Sequence, residues 1–232
     1  MIKDKSVLCL ILARGGSKGV KNKNIRKLNG KPLISYSIES VKKSKYIDKI
    51  VLSSDDNKIR KVASKLGIEA PFKRPAYLSQ DTSNVNDAFI HALNWVEKNE
   101  NFIYDYIIQV QCTNPMVLSK DIDAVILKLH KTQADSVISV NKIESHHPAR
   151  IKKIVRDKIV DFAIKEIPYS NRQNLKPDAY IRNGSIYSCK RDKVKIRVGS
   201  KNSRPYIMPL ERSINIDNEF DFKLAEIILK QK

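Results

Sequence analysis

Between Leu12 and Ile25 the chain reads LARGGSKGVKNKNI, which sets Gly15, Gly16 and Gly19 among Arg14, Lys18, Lys21 and Lys23 directly after an apolar run. Glycines let a backbone turn sharply and bring its N–H groups close to an anion, while Arg14, Ser17, Lys18 and Lys23 add donors and positive charge. A loop placed between a buried strand and a helix aims such donors at one point, and a chain of phosphates is its natural guest. The loop matches neither common phosphate fingerprint. No Gly-Lys-Ser/Thr ending follows Gly15 and Gly16, and the spacing is not that of the dinucleotide motif, so a P-loop ATPase and a Rossmann dehydrogenase both lose ground. On these residues alone a solvated basic loop stays open, with Lys21 its clearest member.

Three other positions carry polar chemistry. Gln111 falls at the end of an apolar strand, where an α/β fold opens its crevice, and its amide suits a base or a sugar as well as a strand-edge cap. His146 and His147 stand side by side before Pro148, too close to present the facing geometry of a helical metal pair. Arg172 lies in the polar, irregular stretch 165–177.

The elements that must position these residues follow from hydrophobic periodicity. Ser6 to Leu12 is a continuous apolar run suited to a parallel strand buried on both faces. A helix is expected after the loop, with Pro32 near its first turn and Leu33, Ile34, Ile38 and Val41 at helical spacing. A strand through Leu52 then leads to a cap at Asp55 or Asp56, a helix to Leu66, and Gly67 as its terminator. Val85, Ala88, Phe89, Ala92, Leu93 and Val96 form the stripe of a third helix. YIIQVQ is the next strand, Ser119 the expected cap of a helix carrying Ile122, Val125, Ile126 and Leu129, and DSVISVN a further strand.

This alternation predicts an α/β fold with a mostly parallel central sheet flanked by helices. After Asn141 the rhythm changes. Residues 142–180 read as an excursion with two short strands around Asp157 and Lys158, before AYIRNGSIYSC and a final helix from Glu219 to Lys230 rejoin the main body. With no internal repeat or long linker, the 232 residues read as one domain.

Composition bounds the function classes. At 41% hydrophobic residues the chain is ordinary for a folded protein, and none of its apolar runs approaches the ~18 residues of a spanning helix. The opening segment lacks a signal-peptide pattern, so a soluble, cytoplasmic protein with no membrane partner is expected. Cys9, Cys112 and Cys189 lie far apart in apolar runs and read as buried free thiols. The net charge of +19 invites nucleic acid, but the lysines are spread along the chain, interleaved with acids, and lack any nucleic-acid-binding motif. Nucleic-acid binding is therefore not expected, although a basic binding module remains the alternative from a different class.

The blocks LARGGSKGVKNKNIRKLNGKPLISYSI, LSSDD, KRPAYLSQDTSNVNDAFIHAL, QCTNPM, HHP, NGSIY and YIMPLERSINIDNEFDF closely resemble, in order and roughly in spacing, the acylneuraminate cytidylyltransferase family. That family includes the CMP-sialic acid synthetases and their relatives for legionaminic and pseudaminic acids. The resemblance covers nearly the whole chain. It implies a Rossmann-like nucleotidyltransferase fold, with the excursion used in a homodimer. It also implies transfer of CMP from CTP to the anomeric hydroxyl of a nine-carbon keto-sugar acid, with release of pyrophosphate and Mg2+ on the triphosphate. In such chemistry the protein mainly positions reactants and neutralises developing charge.

Carried over by motif position, Arg14, Ser17, Lys18 and Lys23 would hold the triphosphate and steady the departing pyrophosphate. Asn24 and Arg74, with Ala13, would help to fix the nucleotide, and Gly15 and Gly16 would allow close backbone approach. Asn183 and Tyr187 would meet the acceptor sugar, and Arg172 or another residue of 165–177, on this chain or on the neighbouring subunit, would clamp the carboxylate of the sugar acid. Tyr187 is equally readable as a packing aromatic, and Arg74 as a structural loop arginine. Two departures stand out. SINID places Asn215 where the family usually has an aspartate, with Asp217 as the second metal ligand, so one negative charge is missing. QCTNPMV has Val117 where relatives commonly carry arginine. A cytidylyltransferase for an eight-carbon keto-acid is the runner-up enzyme, disfavoured by the NGSIY and SINIDNEFDF blocks.

Overall fold

A computed structural model of the chain describes residues 2, 4–143, 145–169 and 171–231. Its elements run β1 (Val7–Leu12), β2 (Lys27–Leu28), β3 (Lys31–Pro32), α1 (Leu33–Lys42), β4 (Lys49–Ser53), α2 (Asn57–Lys65), α3 (Val85–Glu100), β5 (Tyr106–Val110), α4 (Ser119–Thr132) and β6 (Ser136–Lys142). The chain continues through β7 (Lys152–Val155), β8 (Lys158–Asp161), β9 (Tyr180–Lys190), β10 (Ser203–Ile207) and α5 (Glu219–Lys230). The six-stranded sheet has the order β10-β6-β9-β5-β1-β4. β1 runs parallel to β4 and β5, β6 runs parallel to β10, and β9 lies antiparallel between β5 and β6. The mostly parallel sheet expected from the alternating pattern is thus present, with a single reversed strand.

Why β1 is apolar throughout is plain from its two faces. Val7, Cys9 and Ile11 pack with Ile38 of α1, Ala63 of α2 and Ile122 and Ile126 of α4, whereas Leu8 and Leu10 pack with Phe89, Leu93 and Val96 of α3. A strand covered on both sides needs apolar residues at every position. Each such fully buried side chain contributes about 1.5–3 kcal/mol relative to an exposed one. A third cluster joins Val20 from the basic loop, Met116, Ile216, and Phe222 and Ala225 of α5, so the loop is anchored at its middle.

Several local expectations hold. Asp56 caps α2 by accepting from the backbone N–H groups of Lys58 and Ile59, and Gly67 ends the helix with φ +74°. Arg156 and Asp157 turn between β7 and β8 with positive φ, the geometry of a tight hairpin. Others are corrected. The basic loop does not run into a helix: a short 3-10 turn, Lys23–Ile25, and the β2/β3 hairpin intervene before α1. Leu118 rather than Ser119 occupies the cap of α4, because Asp121 reaches back to the Leu118 N–H at 2.9 Å and supplies the hydrogen bond from inside the helix. Val85 leaves the α3 stripe and is 53% exposed, because at the first position of the helix it lines an open cavity instead of packing in the core.

Candidate active site

The basic loop leaves β1 at the carboxyl end of the sheet. Its shape is fixed by bonds that run outward from the chain's own backbone. Ala13 donates its N–H to the Ser53 carbonyl at 3.1 Å, and the Gly15 N–H goes to Asp55 Oδ1 at 3.0 Å. Asn24 donates from Nδ2 to the Arg14 carbonyl at 2.9 Å while its Oδ1 accepts from Cys112 Sγ at 3.0 Å. These contacts correct the reading of Gly15 as an anion donor: its N–H is already taken by a carboxylate, and the residue serves to let the loop pass close to Asp55 and Asp56. Gly16 makes the turn itself, at φ +63°, where a side chain would be strained.

Around this loop lies a cavity of about 500 Å3, lined by Arg14, Ser17, Lys18, Lys23, Arg74 and Gln111, with Asn24 and Asp217 also on its wall. Most of the residues singled out in the sequence for phosphate binding therefore share one space. Arg74 is 4% exposed and donates from Nε to Ser53 Oγ at 3.0 Å, with a second bond from Nη2 to the Ser53 carbonyl. Burial lowers its pKa from the ordinary arginine value. Lys23 reaches the Ile216 carbonyl at 2.6 Å and Asp217 Oδ1 at 3.1 Å.

Two further wall residues escaped the sequence reading. Asp81 joins Arg14 at 2.6 Å and Lys18 at 2.5 Å, so a carboxylate sits between the two cations best placed for phosphate. Hydrogen bonds from Lys18 and then Arg14 hold its pKa below the usual carboxylate range. Gly19 is the second. A Cβ built there would fall 2.0 Å from the Asp217 carbonyl oxygen, so the loop and the segment bearing Asp217 touch backbone to backbone. Cys112 also lines the cavity, but burial pushes its thiol up to about 11 and leaves it a neutral donor to Asn24.

For a divalent cation the relevant oxygens are those of Asn215 and Asp217. Asn215 Nδ2 donates to Asp217 Oδ2 at 2.5 Å, and Asp217 is the one of the two that faces the cavity. Among the described residues no group of three or more His, Cys, Asp or Glu side chains is arranged to hold a metal. Asn215 thus turns its amide nitrogen, not its oxygen, toward the carboxylate, and the exposed Asp217 side chain is the oxygen group at hand; that fits magnesium, which keeps several waters and takes few protein ligands when phosphates supply the rest.

A second cavity, of about 380 Å3, adjoins the first and shares Val85 and Gln111 with it. Tyr187 lines this second space, together with Gln109, Arg182, Lys195 and Arg197. Asn183 does not line either cavity. Its Oδ1 accepts from Ser139 Oγ at 2.6 Å and from the Ser185 N–H at 3.2 Å, and its Nδ2 donates to Ser213 Oγ at 2.9 Å, so it fastens the β9 irregularity opposite Ile138 and Val140. Arg172 lies apart from both, in a recess on the excursion with His147 and Asp178. His147 is buried, with Nε2 on the Pro177 carbonyl and Nδ1 accepting from Ala149, which makes it a turn residue.

The geometry of two joined, cation-rich cavities at the carboxyl edge of the sheet agrees with the sequence relationships. A family profile described as cytidylyltransferase matches residues 8–229. The chain belongs to the cytidylyltransferase family. Among its relatives, the post-translational flagellin modification protein B of Campylobacter coli is 36% identical over 97% of this chain and 96% of its own length. The CMP-N,N'-diacetyllegionaminic acid synthase of Campylobacter jejuni is 34% identical over the same shares. The N-acylneuraminate cytidylyltransferase of Escherichia coli is 29% identical over 97% of this chain and 52% of its own length. A solved CMP:2-keto-3-deoxy-manno-octonic acid synthetase complexed with CTP superposes with a TM-score of 0.71 over 98% of this cytidylyltransferase and 99% of that chain, at 18% identity. That likeness confirms the nucleotidyltransferase fold.

Proposed function

We propose that this cytidylyltransferase transfers CMP from CTP to the anomeric hydroxyl of a nine-carbon keto-sugar acid of the sialic and legionaminic type and releases pyrophosphate. The observation that carries this reading is the convergence of Arg14, Lys18, Lys23 and Arg74 on one cavity that opens, past Gln111, into a second. The relatives named as legionaminic and pseudaminic acid enzymes support the acceptor class.

In this scheme the triphosphate occupies the first cavity. Arg14 and Lys18 exchange Asp81 for phosphate oxygens, and Ser17 adds a neutral donor. Lys23 stands beside Asp217, where charge builds on the bridging oxygen as pyrophosphate departs. Asp217, and Asn215 once its amide is turned to present oxygen, would hold Mg2+, which would neutralise charge on the triphosphate. Gln111, which borders both cavities, orients the acceptor against the nucleotide, and holding the two reactants in line provides much of the acceleration. Reaction in the cytoplasm, where CTP is made, and a homodimer formed through the excursion complete the proposal. The test offers CTP, magnesium and a panel of nonulosonic acids to the purified protein and follows pyrophosphate. Release with at least one nine-carbon acid is expected; release only with an eight-carbon keto-acid would replace the acceptor, and none with any acid would overturn the reading.

A further inference from the structure

The second cavity holds two side chains whose burial the fold alone does not repay. Arg197 is only 5% exposed. It donates from Nε to Asn86 Oδ1 at 3.1 Å, and its guanidinium stacks 4.1 Å above the Phe89 ring with Tyr187 at 5.8 Å. Among the described residues no carboxylate pairs with it, and the wall it shares carries Arg182 and Lys195 but no acid. Gln109 is 2% exposed, and its Oε1 is buried without a hydrogen-bond partner. A buried cation with no counter-charge and a buried carboxamide with an unmatched oxygen are both costly features. Both residues line one cavity, and that cavity borders Gln111.

We infer that Arg197 and Gln109 form a specificity subsite that receives a planar, oxygen-bearing group of the acceptor sugar acid, either its carboxylate or the carbonyl of an acylamino substituent. The inference rests on the proposed reaction and adds to it the residues of this chain that read the acceptor. Arg197 offers donors already fixed in plane by Phe89 and Asn86, so binding loses little side-chain freedom. The Gln109 carboxamide brings both a donor and an acceptor to the same group. Burial lowers the pKa of Arg197 from the ordinary arginine value, and an oxygen acceptor docked on the guanidinium opposes that shift.

The variants Arg197→Met and Gln109→Leu test this, each assayed with an acylated nonulosonic acid and with the analogue that carries hydroxyl in place of acylamino. Loss of a charge-assisted bond in Arg197→Met is expected to raise KM for the acylated acceptor by about 30-fold, and Gln109→Leu by about fivefold. KM for CTP stays within about twofold, because the phosphate cations are untouched. If the acylamino carbonyl is the guest, the Arg197→Met penalty collapses with the hydroxyl analogue; if the carboxylate is, it persists with both. Acceptor KM unchanged in both variants, or CTP and acceptor KM raised alike, overturns the subsite. Should wild type turn over no nonulosonic acid, the proposed reaction falls. Calorimetric binding of the acylated acid to wild type and Arg197→Met then decides the subsite, equal affinity overturning it.

Discussion

At the scale of single residues, the cavity wall is closed on itself by ion pairs that, in the proposed reaction, the triphosphate displaces. Asp81 bridges Arg14 and Lys18 and so occupies the position that the proposed reaction gives to a phosphate. Replacing it with asparagine removes an anion that repels the incoming triphosphate, and KM for CTP in Asp81→Asn is expected to fall by about threefold, as suits a solvent-exposed pair. The sign of its pH dependence follows from its depressed pKa: the bridge is complete above the ordinary carboxylate pKa and is lost only as pH falls through the lowered folded value. Between about pH 6 and 9 the ratio of wild-type to variant KM should therefore be flat; a ratio that climbs in that window would show that Asp81 is not the competing group. Asn215 raises the second residue-scale question. Its amide donates to Asp217 at 2.5 Å, where a second carboxylate would instead repel. Asn215→Asp restores a hard oxygen charge, so half-maximal activity is expected at about tenfold less magnesium. A titration curve that does not move left would remove Asn215 from the proposed magnesium site.

At the scale of elements, what the sequence disclosed was whatever repeats with a period. The helical stripe of Ala88, Phe89, Ala92, Leu93 and Val96, the capped α2 and the buried run of β1 follow from alternation and burial, and the structure places each as expected. The misses lie where a long-range partner overrides a local signal. Ser119 looks like a cap, yet Asp121 takes that office because it is fixed from the far side by Tyr206 and Arg212. Asn183 looks like a sugar ligand, yet the β9 irregularity turns it toward Ser139 and Ser213. Gln109 and Arg197 carry no local mark at all, and only the packing of β5 against β9 and of the turn at 191–196 against α3 brings them near one another. The contact of Gly19 with the Asp217 carbonyl is likewise invisible in sequence, since about two hundred residues separate the partners. Gly19→Ala forces those two segments apart. Activity is expected to drop at least about 100-fold, as a displacement of 1 Å near reacting groups allows. Denaturation should show a loss of only about 1–3 kcal/mol, the cost of a local overpacking. Normal turnover in this variant would mean that the approach of the Asp217 segment to the loop is dispensable.

At the scale of the whole molecule, the excursion between β6 and β9 has the wrong surface for a solvent-facing appendage. Ile154 and Ile159 of the β7/β8 hairpin are 78% and 75% exposed, and Phe162, Ile167 and Tyr169 follow them with their side chains outward. A two-stranded hairpin is marginal by itself in water, and Ile154 and Ile159 stand directly opposite each other across its two strands, an exposed apolar pair of the kind that suits contact with another protein. In the homodimer proposed above, a second copy would cover this face and give the recess holding Arg172 a purpose, since the cavity proposed for the acceptor lies elsewhere on the same chain. Sedimentation of the wild type is expected to show a dimer at micromolar concentration, and the double variant Ile154→Lys, Ile159→Lys a monomer that keeps its helix and strand content. If the dimer brings Arg172 to the partner's acceptor, the monomeric variant and Arg172→Ala should both raise acceptor KM while leaving KM for CTP within about twofold. A variant that becomes monomeric without any change in acceptor KM would confine each site to one chain.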